Sequence, residues 1–288
     1  MHKNEGIAIT MDAFEQWIGR EETSSDVLSP EPQRRLAAIL DEVPAYTNGS
    51  PLPPLGHWMY FLPHENQRDL GLNGHARNTD HLPPMKDLPR RMWAGVRVEI
   101  LHDLPLGERA ERRSTVVAIK EKLGASGRLL FVTFRHEIGL IGKEASLIEE
   151  QDVLFLGPTS APRHVEAPSS GMAWQDELTT DPVLLFRFSA LTFNPHRIHY
   201  DHLFATEVEG YAGLVVHAPL VATMLARRAA QRSGNRHLAS LSFKAVSPAF
   251  VNAPLSLRGS FPDSSGKALL WAATEGNRLI LEGEARFA

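Results

Sequence analysis

An α+β fold made of two copies of one unit, an antiparallel sheet wrapping a helix, is what this 288-residue chain predicts. Three observations carry it. Strand-like runs separated by turn signals cluster twice, over residues 93–150 and 238–287. Each cluster follows residues that read as helical. Between the clusters, residues 157–171 hold three prolines and few large apolar side chains, the composition of a linker. The tails also share a pattern: Val96-Arg-Val-Glu-Ile-Leu-His-Asp-Leu-Pro105 and Leu241-Ser-Phe-Lys-Ala-Val-Ser-Pro248 each run as a strand into a proline-containing bend.

Taken in order, residues 10–41 read as helical. Thr10 or Asp12 can cap, Phe14, Trp17 and Ile18 share a face, and a second helix starts near Pro30–Pro32. From Gly49 to Pro89 the chain is rich in Pro, Gly, Asn and His. Proline fixes φ and removes a backbone donor, so this segment reads as loop with at most short strands and a helical turn. Strands are expected at Trp93–Ile100, Arg113–Lys120, Leu129–His136 and Ala145–Glu150. After the linker come a strand-like run at Pro182–Leu191, a His-rich loop, a short helix near Asp201–Val208 and a long helix over Val215–Arg232. Strands at Leu238–Val246, a hairpin over Leu255–Thr274 turning at Pro262–Gly266, and a strand at Arg278–Phe287 complete the chain.

Composition sets limits. Apolar residues make up 43% and charged residues 22%, with a net charge of −4 and no Lys/Arg cluster, so no nucleic-acid or anionic-membrane surface is expected. Cysteine is absent, which removes disulfides, thiolate nucleophiles and thiolate metal sites. No apolar run reaches the length of a membrane span, and the first residues lack the apolar core of a signal peptide, so a cytoplasmic protein is expected.

The functional signal concentrates in Ala190-Leu-Thr-Phe-Asn-Pro-His-Arg-Ile-His-Tyr-Asp201 and Gly213-Leu-Val-Val-His-Ala-Pro-Leu220. Asn194 and His199 lie five positions apart in a loop, and the second segment opens the long helix. An amide and an imidazole facing a helix N-terminus form an acid/base site beside a site for a carbonyl oxygen. Alone, Asn194-Pro195 is a turn and His199 an ordinary buried histidine; their conjunction with His196, His217 and the helix start carries the case. His196 and His199 form His-x-x-His, yet the loop begins with Pro and no cysteine contributes, so no metal is expected. The 215–232 helix contains no Asp or Glu, and so offers backbone N–H groups at its start and apolar bulk beyond. The Ala218 N–H is the candidate oxyanion donor. Arg90-Arg91 and Arg227-Arg228 are basic pairs that either face solvent or meet substrate phosphates.

These residues resemble the MaoC-type hot-dog hydratases. In the R-specific enoyl-CoA hydratases an Asp and a His five apart, in Ser-Gly-Asp-x-Asn-Pro-(Ile/Leu)-His-x-Asp, form the catalytic pair. Aligned without a gap, Asn194 falls at the Asp and His199 at the His, while Val215-Val-His-Ala218 matches the helix-start Val-Val-His-Gly. The chain is most similar to the hydroxyacyl-thioester dehydratase type 2 branch, which includes mesaconyl-C4-CoA and itaconyl-CoA hydratases. Phe188–Asp201, Ala205–Tyr211, Leu55-Gly-His-Trp58, Leu88–Gly95 and Glu149-Glu-Gln-Asp152 carry that likeness.

The resemblance implies a double hot-dog with residues 1–156 as a non-catalytic repeat, 157–171 as linker and 172–288 as the catalytic repeat. It implies hydration of a short enoyl-CoA, most simply a C5 dicarboxylyl thioester giving citramalyl-CoA, with no cofactor beyond the CoA of the substrate. Asn194 and His199 would be catalytic; His196, Arg197, Gly213, His217, Arg90 and Arg91 would line the substrate. Asn in place of Asp shifts the base role to His199, and Ala218 in place of Gly narrows the site toward a short acyl group. Alternatives are a fatty-acid 3-hydroxyacyl-thioester dehydratase and a non-catalytic partner subunit. Exposed sheet edges suggest a homodimer or a larger homo-oligomer.

Overall fold

The computed structural model describes residues 12–43, 45–77, 82, 85, 87–124, 127–157 and 164–288. The expected Thr10 cap and the centre of the expected linker fall outside these residues. Strands β1 (Glu21–Val27), β2 (Arg90–Ile100), β3 (Arg109–Gly124), β4 (Gly127–Leu140) and β5 (Leu147–Leu156) form the N-terminal half of a sheet. The C-terminal half holds β6 (Trp174–Thr179), β7 (Leu238–Ala245), β8 (Pro254–Gly259), β9 (Lys267–Thr274) and β10 (Leu279–Phe287). Helices are α1 (Asp12–Glu15), α2 (Pro30–Ile39), α3 (Pro182–Leu191) and α4 (Ala218–Gln231).

The halves fuse into one ten-stranded antiparallel sheet in the order β1-β3-β4-β5-β2-β7-β10-β9-β8-β6. The seam is β2 against β7, in register from Gly95↔Lys244 to Glu99↔Ser240. Gly95 is required there, because a Cβ would lie 2.6 Å from the Phe243 carbonyl oxygen.

Helix α4 lies against β7, β8, β9 and β10. Leu220, Val221, Ala222, Leu225, Ala226 and Ala229 on α4 are buried in the main core, which is the apolar stripe of an amphipathic helix. The same core takes in Leu36 and Ile39 of α2, Leu40 just after it, Leu55 and Met59, and Val96 and Val98 of β2. The N-terminal half therefore contributes a ten-residue helix and a 3-10 turn (Gly56–Met59), not a second long helix. A smaller cluster sets Phe14 against Val116, Ile119, Leu130, Val132, Phe134, Val153 and Phe155. Another sets Val165 and Ala167, inside the expected linker, against Trp271, Ala273 and Leu279. No helix among the described residues is long and apolar enough to cross a membrane.

Two elements differ from the sequence reading. Residues 21–27, expected to be helical, form β1 along β3; Thr23, Ser24 and Ser25 favour caps and turns over helix interiors, and the β3 edge offers backbone partners. Residues 182–191, expected as a strand, form α3. Its N-cap is Asp181, whose Oδ1 accepts from the Leu184 N–H at 2.7 Å, and Pro182 sits in the first turn.

Candidate active site

Four short segments converge on one cluster of imidazoles. The end of α3 supplies Ser189 and leads through Phe193, which takes a left-handed φ of 49°, into Asn194. The Asn194 N–H donates to the Ser189 carbonyl at 2.8 Å, and Asn194 Oδ1 accepts from the His196 N–H at 3.0 Å. That Asx turn uses the oxygen of the side-chain amide and leaves its NH2 as a pair of donors. A single 3-10 turn, Arg197–His199, then carries His199 into the core.

His199 is 7% exposed and its Nδ1–H donates to the Val215 carbonyl at 2.7 Å. A carbonyl only accepts, so the neutral ring has its proton on Nδ1 and a lone pair on Nε2. Burial pushes the His199 pKa down to about 4, partly offset by that backbone bond. At neutral pH His199 is therefore an unprotonated imidazole of fixed tautomer. Its ring stacks on His217 with centroids 3.6 Å apart, and it meets His196 edge-on at 5.5 Å. His217 is held by a 2.9 Å hydrogen bond between its Nε2 and Ser189 Oγ and by the Phe188 ring, while its Nδ1 is buried with no partner. Burial likewise takes His217 well below the usual histidine range.

His217 is also the N-cap residue of α4. The first-turn amides of a helix have no intrahelical acceptor. Pro219 has no N–H, so Ala218 offers the leading donor at the positive end of the helix dipole. Gly213 is buried, yet a Cβ there would meet nothing within 4 Å; open space adjoins it.

The N-terminal half reaches this cluster through residues 71–77. Gly74, at φ +94°, packs so closely that a Cβ would stand 1.9 Å from the Pro195 carbonyl oxygen. Asn73 accepts the Arg197 N–H at 3.0 Å through its carbonyl, and the His75 and His196 rings lie 4.4 Å apart. Burial lowers the pKa of both, His196 to about 3, with the positive charge of Arg91 acting in the same direction on each. His196 Nε2 is buried and unpartnered. His75 was not legible in the sequence, because nothing in Gly71-Leu-Asn-Gly-His75 beyond a turn signal distinguishes it. Ser189 was legible only as part of a longer likeness.

The remaining candidates take different positions. Arg197 binds Asp201 and the Leu72 carbonyl, so its guanidinium braces the loop. Arg90 is buried, pairs with Glu209 at 2.8 Å and stands over the Tyr211 ring. Arg91, next along β2, makes no ion pair with a described residue; Glu65 acts on it only through space. Arg227 is 4% exposed and bonds Glu42 and Gln33, away from the imidazoles. No three His, Asp or Glu side chains among the described residues are grouped so as to hold a metal.

Against known proteins, residues 55–251 match the profile of hydroxyacyl-thioester dehydratase type 2. The chain belongs to that family. A relative named mesaconyl-C(4)-CoA hydratase, from Chloroflexus aurantiacus, is 42% identical over 84% of this chain and 86% of its own. The mitochondrial hydroxyacyl-thioester dehydratase type 2 of Schizosaccharomyces pombe is 29% identical over 51% of this chain and 45% of its own. Among solved structures, HtdX of Mycobacterium tuberculosis superposes with a TM-score of 0.67 at 16% identity, covering 93% of this chain and all of that one. A second M. tuberculosis protein, described as a double hotdog, gives 0.60 at 12% identity over 94% of this chain and 96% of its own. The fold is the double hot-dog, and this member of the dehydratase family is a hydro-lyase.

Proposed function

We propose that this dehydratase-family chain reversibly hydrates a short enoyl-CoA, and that its substrate is a C5 dicarboxylyl thioester of the mesaconyl-C4 type. The observation that carries the chemistry is the tautomer of His199. Its Nδ1 is committed to the Val215 carbonyl, and its Nε2 keeps a lone pair in a site where burial prevents protonation at neutral pH. The relative named mesaconyl-C(4)-CoA hydratase supports the substrate class.

In this reading the Asn194 NH2 donates to the oxygen of a water, and His199 Nε2 takes one of that water's protons. The water oxygen bonds to the β-carbon as the C=C π pair shifts through the α-carbon onto the thioester oxygen. That oxyanion accepts from the Ala218 N–H. The proton held on Nε2 then passes to the α-carbon and restores the thioester, so no external acid is needed. Dehydration is the same path reversed. His217 acts as a plate that fixes the His199 ring, and His196 shapes the loop.

All of these groups come from residues 172–288, which we assign as the catalytic repeat; the N-terminal repeat supplies support through residues 71–77. We also propose that the enzyme works in the cytoplasm without a cofactor and self-associates through an end of its sheet, at β1 or β6.

The test is a panel of mesaconyl-C4-CoA, itaconyl-CoA and crotonyl-CoA, followed by loss of enoyl-thioester absorbance. Hydration of a dicarboxylyl substrate is expected, with His199→Ala lowering kcat by about 10³-fold. Activity on crotonyl-CoA alone would overturn the substrate class in favour of the fatty-acid reading. Full activity of His199→Ala would falsify the residue assignment.

A further inference from the structure

Arg91 makes no ion pair with any described residue, and only the Glu65 carboxylate acts on it, through space. Its neighbour Arg90 is satisfied by Glu209 and Tyr211, and Arg197 by Asp201. Arg91 has no carboxylate of any described residue within ion-pair distance, and it is partly withdrawn from solvent. Its strand is brought to the imidazole cluster by residues 71–77, since Asn73 Nδ2 donates to the Pro89 carbonyl at 3.3 Å and the Asn73 carbonyl accepts from Arg197. The Arg91 charge acts on both His75 and His196, whose rings are 4.4 Å apart. His196 in turn meets His199 edge-on at 5.5 Å and ends in a buried Nε2 without a partner. A positive charge with no ion pair among the described residues thus acts on His75 and His196, and His196, with its unused imidazole nitrogen, adjoins the His199 ring.

The substrate class proposed above has a matching need. In an enoyl thioester of the mesaconyl-C4 type, the free carboxylate is attached to the β-carbon itself, the atom to which water adds. An anion one bond from the reacting carbon requires a cation next to the water site, not at the far end of an acyl tunnel. A guanidinium binds a carboxylate through two parallel N–H donors, and that geometry also fixes the acyl group. A hydrocarbon chain in the same place would leave Arg91 desolvated and unpaired, which is costly and so selects against it.

We propose that Arg91 is the specificity-determining residue of this site and pairs with a carboxylate carried on the β-carbon of the acyl group; the inference rests on the hydratase reading above. It concerns recognition, not proton transfer, and so is read by binding alone. Succinyl-CoA and butyryl-CoA are the probes: both are saturated, and they differ by a carboxylate or a methyl on the β-carbon. The wild-type protein is expected to bind succinyl-CoA more tightly, measured by titration calorimetry. Arg91→Met should shrink the ratio of the two affinities about 100-fold, and Arg91→Lys should retain an intermediate ratio, because it keeps the charge and loses the fork. Equal binding of the two ligands by wild type, or an unchanged ratio in both variants, overturns the proposal. If the methionine variant fails to fold, Arg91→Lys decides the matter, and a ratio equal to that of wild type overturns the proposal. A protein that prefers succinyl-CoA in an Arg91-dependent way yet hydrates no enoyl-CoA would leave Arg91 in place and sink the hydratase reading instead.

Discussion

At the scale of single residues, the site is a set of histidines kept neutral by burial. His199 is pushed to about 4 and His196 to about 3, with His75 and His217 also lowered. A histidine whose folded pKa lies below its unfolded value of about 6.5 binds more protons when unfolded. Its contribution to stability is therefore complete above pH 6.5 and is lost as pH falls toward the folded value. Between pH 7 and pH 5, His199 and His196 each cost the fold on the order of 2 kcal/mol, and His75 and His217 act in the same direction. Urea unfolding at pH 7, 6 and 5 should show midpoints falling steeply, and a flat series would contradict the neutral cluster. Over the range in which the fold holds, the proposed base His199 is already unprotonated, so kcat/KM should stay level through pH 6.5. An acid limb centred at 6.5 would mean that His199 is solvated. On the proposed mechanism Asn194→Ala loses the donor to the water and should lower kcat about 100-fold. Asn194→Asp keeps an oxygen for the His196 N–H and should recover most of that loss.

At the scale of elements, α3 positions more of the site than its apolar sequence suggests. It carries Ser189 to His217 and accepts the Asn194 N–H. Asp181→Ala removes its cap and should cost about 1 kcal/mol, seen as a fall of a few degrees in Tm. Because the cap lies at the opposite end of the helix from Ser189, kcat should change less than twofold; a large loss would mean that α3 frays as a unit. The element was misread because Val183 and Phe186, each 63% exposed, place apolar side chains on the outer face as well. A run apolar on both faces has no period, and only the Asp-Pro dipeptide marked a helix start. Strand β1 was hidden for the opposite reason: Glu21–Val27 is a polar strand at an end of the sheet, held by backbone pairing, with no alternation to read. Strands β2–β5 and β7–β10 were legible because turn signals bound them and one face is buried. The convergence of His196, His199 and His217 at the start of α4 was legible because these residues are close in sequence. The approach of His75, and the division of labour between Arg90 and Arg91, depend on contacts across the chain that no local pattern encodes.

At the scale of the molecule, two devices hold the halves together besides the β2–β7 seam. Residues 71–77 clamp the site loop. On α4, the buried Arg227 bonds Glu42 at 2.5 Å and Gln33 at 3.2 Å, tying the C-terminal helix to α2 and the residues after it. Glu42→Ala would strand a guanidinium in the core, at a cost of roughly 3 kcal/mol. Urea unfolding should report that loss, and Arg227→Leu/Glu42→Leu together should restore much of it.

The seam between β2 and β7 has a consequence for how the chain may be cut. It is hydrogen bonding of the kind that joins separate subunits as readily as two parts of one polypeptide. Breaking the backbone between Gly157 and His164 would leave two fragments, each ending its half-sheet in a raw edge that the other is shaped to cover. Residues 71–77 of one fragment and Pro195–Arg197 of the other then complete the imidazole cluster only when paired. Co-expressed, the fragments should find each other and regain activity. Expressed singly, each should present an open strand and aggregate.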